Sequence, residues 1–389
     1  MKHCFSLLLS LCFLFEWARC GDVHTIPLVH RIHSAAERRE HRGAAFKHPK
    51  AIKGGRLYFD NYPQDYIALN ISIGTPPQKL MVAVESGQAD LWVLGADFSP
   101  LQDGQATYEQ SASTTSKYVD YFEGLSGAYN VYGDSYTDVV HIGANITIRS
   151  QGFGDVDEVY GAFDVIPFGT PQLSGVAGLY WSSYAQYQPL ILDLFKSVNI
   201  SEQRKFTLWL GPAKPPSQGP PDAALTLGDV DTTHCSPSVD FIPFEEDDQP
   251  VFTVFRFAAG SYASDGDQQT FVDTGFPFVA FQPAIYDALY KQIGPDYNWD
   301  LGLLTTPCAS AASLPSWVFS IGTKEYTVAS SAYVVDLDID GGKTCSVAFG
   351  LLDIDSVYVD LVLGNPFVRA FCSVYDVDNN AIGFSSART

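Results

Sequence analysis

Two short stretches of this chain carry residue types able to do acid–base chemistry. Residues 82–95 read VAVESGQADLWVLG, and residues 271–281 read FVDTGFPFVAF. In each, an apolar run is broken by a carboxylate, a small hydroxyl residue and a glycine: Glu85-Ser86-Gly87 and, 188 positions later, Asp273-Thr274-Gly275. A charge inside a buried strand is costly unless it is paired or used. Two carboxylates held close together cannot both ionise, so they share one proton. The ionised member then acts as general base on a water and the protonated member as general acid. That chemistry needs no metal and no cofactor.

The elements that would bring the two together form a weak internal repeat. Glu85 is followed 93 positions on by the glycine of Val176-Ala177-Gly178, and Asp273 is followed 91 positions on by the glycine of Val362-Leu363-Gly364. Two halves with the same order of parts imply a duplicated lobe. Carboxylates at equivalent places meet across the junction, where ligand clefts tend to form.

The chain has 389 residues, enough for two lobes that each bury a core. Its 46% hydrophobic and 17% charged residues describe an ordinary globular protein. Residues 1–20, MKHCFSLLLSLCFLFEWARC, have a basic tip, an apolar stretch and small residues near the end, the pattern of a secretory signal peptide. The apolar stretch is too short to span a bilayer, and no membrane association is expected. With that segment removed, Cys235, Cys308, Cys345 and Cys372 remain, and an oxidising compartment favours two disulfides, with three ways of pairing four cysteines. No Cys/His spacing suggests a metal. Asn70, Asn145 and Asn199 each open an Asn-Ile-Ser or Asn-Ile-Thr sequon, as in a glycoprotein.

Charge divides the chain. Residues 21–56 hold eight Lys/Arg against three Asp/Glu, whereas residues 57–389 hold 13 against 40. A basic leader on an acidic body folds back on it by electrostatics at neutral pH, and acid weakens the hold. The acidic body argues against nucleic acid as a partner. After the leader the pattern is β-rich. Strands are expected over 66–73, ending at the turn Gly74-Thr75-Pro76-Pro77, then over 79–84, 127–132, 139–148, 206–210, 224–227 and 251–257. Short helices are expected over 190–195 and 284–293, and the Pro-rich stretch 211–221 is expected to be an exposed loop.

From Tyr66 to Phe384 the chain resembles the pepsin-like aspartic proteases. The resemblance rests on Ile73-Gly74-Thr75-Pro76-Pro77-Gln78, Leu91-Trp92-Val93, Leu363-Gly364-Asn365-Pro366-Phe367-Val368-Arg369 and Asn380-Ala381-Ile382-Gly383-Phe384, in that order around the two carboxylate motifs. It implies an all-β, bilobal double β-barrel with a central cleft, divided into an N-terminal lobe (57–220) and a C-terminal lobe (221–389). Val131-Tyr132-Gly133 is similar to the family's flap, with Tyr132 at the flap tyrosine, and with Gly133, Ser86, Gly87, Thr274 and Gly275 it would line the substrate site. The resemblance also implies the pairings Cys308–Cys345 and Cys235–Cys372, the second typical of nematode members. Thr25-Ile26-Pro27-Leu28-Val29-His30-Arg31 is similar to a zymogen prosegment, so the basic leader (21–56) would be an intramolecular inhibitor. The implied protein is a monomeric acid endopeptidase of peptide or protein substrates, extracellular or lysosomal.

The sequence departs from the family at the dyad. Glu85 stands where the family has Asp, and one extra methylene moves a carboxyl by about 1.3 Å. A displacement near 1 Å costs about 10²-fold in rate. Gln88 stands at a serine that can bond the first carboxylate, Phe276-Pro277 replaces a Thr-Ser pair beside the second, and Asp134-Ser135 replaces a Thr-Gly type of flap tip. Two functions are therefore in competition: a peptidase with an impaired dyad, and a pepsin-fold peptide-binding protein that has lost turnover.

Overall fold

The structure is a computed structural model that describes residues 23–32, 65–101, 104–125, 129–143, 145–161, 173–219, 222–246, 249–352 and 359–388. The signal peptide, the leader beyond Ile32 and Gly127 lie outside the described residues.

The first half is built from β1 (His24–Ile32), β2 (Asp65–Ile73), β3 (Gln78–Glu85), β4 (Leu91–Leu94), β5 (Lys117–Leu125), β6 (Tyr129–Ile142), β7 (Ile146–Gly161) and β8 (Gly175–Gly178). Helix α1 (Leu190–Ser197) follows, burying Leu190, Ile191, Leu194 and Phe195 on one face at helical spacing. The middle of the chain supplies β9 (Lys205–Leu210), β10 (Asp222–Leu227) and β11 (Asp240–Pro243). The second half contains β12 (Phe252–Ala259), β13 (Tyr262–Val272), β14 (Val279–Phe281), α2 (Pro283–Ile293), β15 (Asp296–Asn298), β16 (Leu303–Pro307), β17 (Trp317–Ile321) and β18 (Lys324–Val328). It ends with β19 (Val334–Asp336), β20 (Thr344–Val347), β21 (Phe349–Leu351), β22 (Leu361–Leu363), α3 (Asn365–Ala370), β23 (Phe371–Asp376) and β24 (Ala381–Ser386).

Among the described residues, these strands form three sheets. The largest runs β11-β24-β23-β9-β10-β1-β2-β3-β8-β4-β7-β6-β5, so strands from both ends of the chain share it. A second runs β18-β17-β12-β13-β22-β14-β21, and a small one runs β15-β16-β20-β19. Strand β6 alternates buried and half-exposed residues along most of its length, the signature of a strand with one face on the core. β10 is buried from Ala223 to Leu227 because it lies inside the largest sheet with both faces covered.

The duplication read from the sequence is present as topology. β3 pairs in parallel with β8, which pairs antiparallel with β4. β13 likewise pairs in parallel with β22, which pairs antiparallel with β14. A Cβ on Gly178 would lie 2.6 Å from the backbone oxygen of Gln88, and one on Gly364 would lie 2.4 Å from that of Phe276. The glycine of each two-apolars-then-glycine segment is therefore required because the carboxylate loop of its own half crosses directly above it. The fold is the mostly β, bilobal arrangement expected.

Most of the expected elements are found within a residue or two. One exception is the strand expected over 127–132, whose described part opens a β6 that runs on to Ile142, and the other is the strand expected over 139–148. The second is the end of β6 and the start of β7, because the chain reverses at Gly143, whose φ is 58°. The disulfides are Cys235–Cys372 and Cys308–Cys345. No helix of the described residues is long and apolar enough to cross a membrane.

β1 comes from the basic leader, yet what holds it is not surface charge. It pairs with β10 from His24 to Val29 and with β2 from Val29 to Ile32. Ile26, Leu28 and His30 point into the core. His30 Nε2 lies 2.6 Å from Asp65 Oδ1, while Arg369 pairs with the other oxygen of Asp65. Burial and the Arg369 guanidinium push His30 down from its ordinary value to about 3.

Candidate active site

Glu85 is the last residue of β3, and Asp273 directly follows β13, so each carboxylate is delivered by the end of a buried strand. Both side chains are buried, at 3% and 5% exposure. The two loops grip each other through their hydroxyl residues. Ser86 Oγ donates to the carbonyl of Val272 at 3.0 Å and accepts from the backbone N–H of Thr274 at 3.2 Å. Thr274 Oγ1 donates to the carbonyl of Val84 at 2.7 Å. Serine in place of threonine in the first motif therefore keeps the interlock.

The glycines put each carboxyl on the opposite loop. A Cβ on Gly275 would lie 2.9 Å from Glu85 Cγ, and one on Gly87 would lie 2.8 Å from Asp273 Oδ2. The structure thus brings Glu85, Ser86, Gly87, Asp273, Thr274 and Gly275 together, as expected.

Their hydrogen bonds are not symmetric. Asp273 Oδ1 accepts from the N–H of Gly275 at 2.9 Å and from that of Gly87 at 3.4 Å. Glu85 Oε2 accepts from the Tyr129 hydroxyl at 3.5 Å, a long contact. Burial pushes both carboxyls up. For Asp273 the backbone N–H groups oppose the rise, whereas for Glu85 the neighbouring Asp273 charge adds to it and only Tyr129 opposes it. The backbone donors favour the ionised form of Asp273, and burial beside that charge favours the protonated form of Glu85.

The flap residues are placed differently from expectation. β5 and β6 form the hairpin, with Leu125 opposite Asn130, so its turn precedes Tyr129. Tyr129 reaches the first carboxylate, packs edge-on to Trp92 at 6.2 Å and accepts a hydrogen bond from Gln88 Nε2 at 3.3 Å. Tyr132 is three residues on and therefore on the opposite face of the strand. Its ring lies against Tyr121 and Tyr160, not over the dyad. A Cβ on Gly133 would lie 2.0 Å from the Asp155 carbonyl, so that glycine serves the close approach of β6 and β7.

The other departures also find their places. Gln88 supports Tyr129. The Phe276 ring packs edge-on to Phe278 at 5.8 Å and joins the core. Asp134 acts on Asp155, which burial and neighbouring carboxylates push up to about 7. Tyr129 was missed in the sequence, although period-2 alternation puts it with the buried Val131 and apart from Tyr132.

A profile of the eukaryotic aspartyl protease family matches residues 65–387. The chain belongs to that family. Aspartic protease 1 of Caenorhabditis elegans is 29% identical over 340 residues, covering 85% of this chain and 84% of that protein. A probable vacuolar protease A of Trichophyton verrucosum is 28% identical over 361 residues, covering 90% of this chain and 86% of its own. Pepsin II-1 of Oryctolagus cuniculus is 27% identical over 345 residues, covering 84% of this chain and 82% of its own. Similarity of this extent to family proteases supports aspartic endopeptidase function for the chain.

Proposed function

We propose that the chain is a slow acid endopeptidase that works with an asymmetric Glu85–Asp273 pair. The reciprocal grip of Ser86 and Thr274 carries this reading, because it seats both carboxyls at the junction of the two motifs. Asp273, supported by two backbone N–H groups, takes the proton of a water that attacks the peptide carbonyl. Glu85 gives its proton to the carbonyl oxygen, and the leaving nitrogen is protonated in turn. The rate rises with pH as Asp273 ionises, above the ordinary carboxylate range because burial raises it, and falls as Glu85 loses its proton.

The rate is limited by Glu85. It lacks the backbone donors of Asp273 and rests on one long bond from Tyr129. That same bond favours a second reading, in which Tyr129 closes the site and the protein binds peptides without cleaving them. Residues 21–56 act as prosegment, supported by the pairing of β1 inside the largest sheet. The two disulfides and the exposure of Asn70, Asn145 and Asn199 support glycosylation and an extracellular or lysosomal destination.

The test is digestion of a denatured protein at acid pH by leader-free protein, with Asp273→Asn and Glu85→Asp alongside. Cleavage that Asp273→Asn abolishes supports the peptidase. Tight peptide binding by the native protein and by Glu85→Asp, with cleavage by neither, establishes the binding protein instead.

A further inference from the structure

The hairpin that carries Tyr129 toward Glu85 has a second, outward face. Directly opposite residues of antiparallel strands share a face, and the pairings place Glu123 of β5, Tyr132 of β6 and Glu158 of β7 in one row. Two residues along, Tyr121 stands opposite Asp134, and in the other direction Tyr160 stands opposite Asn130. The rings run diagonally across the three strands. Tyr121 stacks on Tyr132 at 6.5 Å, and Tyr132 meets Tyr160 edge-on at 5.6 Å. Tyr121 and Tyr160 are more than half exposed, at 54% and 56%.

Ring pairs and a 2.8 Å hydrogen bond from the Tyr160 hydroxyl to Glu158 stabilise part of this face, but folding does not account for its excess of negative charge. Asp134 faces Asp155 directly across β6 and β7, a like-charge pair that destabilises a sheet. β5, β6 and β7 together hold seven carboxylates against Lys117 and Arg149. Among the described residues, none of the ion pairs uses Glu123, Glu158 or Asp134. A second copy of this acidic chain would bring like charge to the face. A cation over the Tyr132 ring would instead meet a carboxylate on either side, combining cation–π attraction with two charge contacts.

We propose that this outer face is a docking site for an extended basic segment of a protein substrate, with Lys or Arg at alternate positions. Successive rows on the face are two residues apart along the strand, roughly 6.8 Å, which is the spacing of alternate side chains in an extended peptide. β5 is the last strand of its sheet, so the approach is open from that edge. Calling the partner a substrate rests on the peptidase reading; the binding itself does not.

The experiment is fluorescence anisotropy of a labelled nine-residue peptide with Lys at alternate positions, titrated with protein that keeps residues 21–56. Glu123→Gln with Glu158→Gln should weaken binding about tenfold, and Tyr132→Ser about fivefold. Binding should weaken with added salt. Asp287→Gln with Glu325→Gln, which removes equal charge elsewhere on the surface, is the control. Equal weakening by the control pair, or affinity unchanged by the Glu123 and Glu158 pair, would overturn the proposal. Cleavage of a short uncharged peptide should not change with the outer-face variants. A protein that binds the basic peptide but cleaves nothing keeps the docking site and loses the peptidase.

Discussion

The two carboxylate loops share a topology and differ in how they hold their carboxyl. Both sit at the end of a strand in a parallel pair, above a glycine that lets the loop cross, and each donates a hydroxyl to the backbone beneath the other. The Asp273 loop converts this support into two backbone N–H donors at one oxygen. The Glu85 loop keeps the support but sends its carboxyl one methylene further, where the contact is a tyrosine hydroxyl from the hairpin. Scaffold and reacting group have therefore diverged separately, the first retained and the second altered.

The largest test of this difference is Asp273→Asn, which removes the anchored base. Acid peptide hydrolysis should fall by about 10⁴-fold or to background. Activity surviving at full rate would remove the catalytic role of the pair. Next comes Glu85→Asp, which draws the carboxyl back toward its own loop. Turnover should rise about 10²-fold, the scale of a correction near 1 Å.

Tyr129→Phe sharpens the point. In the Glu85 protein it should lower turnover by about fivefold, the worth of one hydrogen bond to a neutral carboxyl. In the Glu85→Asp background it should do little, because the shorter side chain no longer reaches the hydroxyl. Equal losses in both backgrounds would mean that Tyr129 does not act through Glu85. The smallest effects belong to the shared scaffold. Ser86→Ala and Thr274→Ala should each cost about 1–3 kcal/mol in urea unfolding, and by similar amounts. Unequal costs would show that the two loops differ below the carboxyls as well.

What could be read from the chain and what could not divide along locality. The two carboxylates, the grip and the two glycine segments are short strings whose residue types carry their own cost or purpose, so Glu85, Ser86, Asp273 and Thr274 were legible. Cys308–Cys345 and Cys235–Cys372 followed from the family pattern around them. The tyrosine that reaches Glu85 was not legible in the same way, because its place depends on where the hairpin turns. A register that places Leu125 opposite Asn130 puts Tyr129 near the tip and turns Tyr132 outward. The strand expected over 139–148 failed at Gly143, where apolar alternation continues through a reversal. The place of β1 between β10 and β2 is a pairing across nearly two hundred residues, and no local alternation encodes it.

That place makes cutting the chain and releasing β1 separate events. A cleavage after Ile32 would leave β1 bonded on both edges, a two-piece protein with the shape of the uncut one. Departure of the strand is then a partial unfolding, and His30, buried against Asp65, contributes to its dependence on acid. That imidazole is held down to about 3, so the strand's stabilising share is intact above pH 6.5 and drains away as pH falls from there toward 3. The nick would record where the protein has been, and two strand ladders with a buried histidine would hold the piece in place.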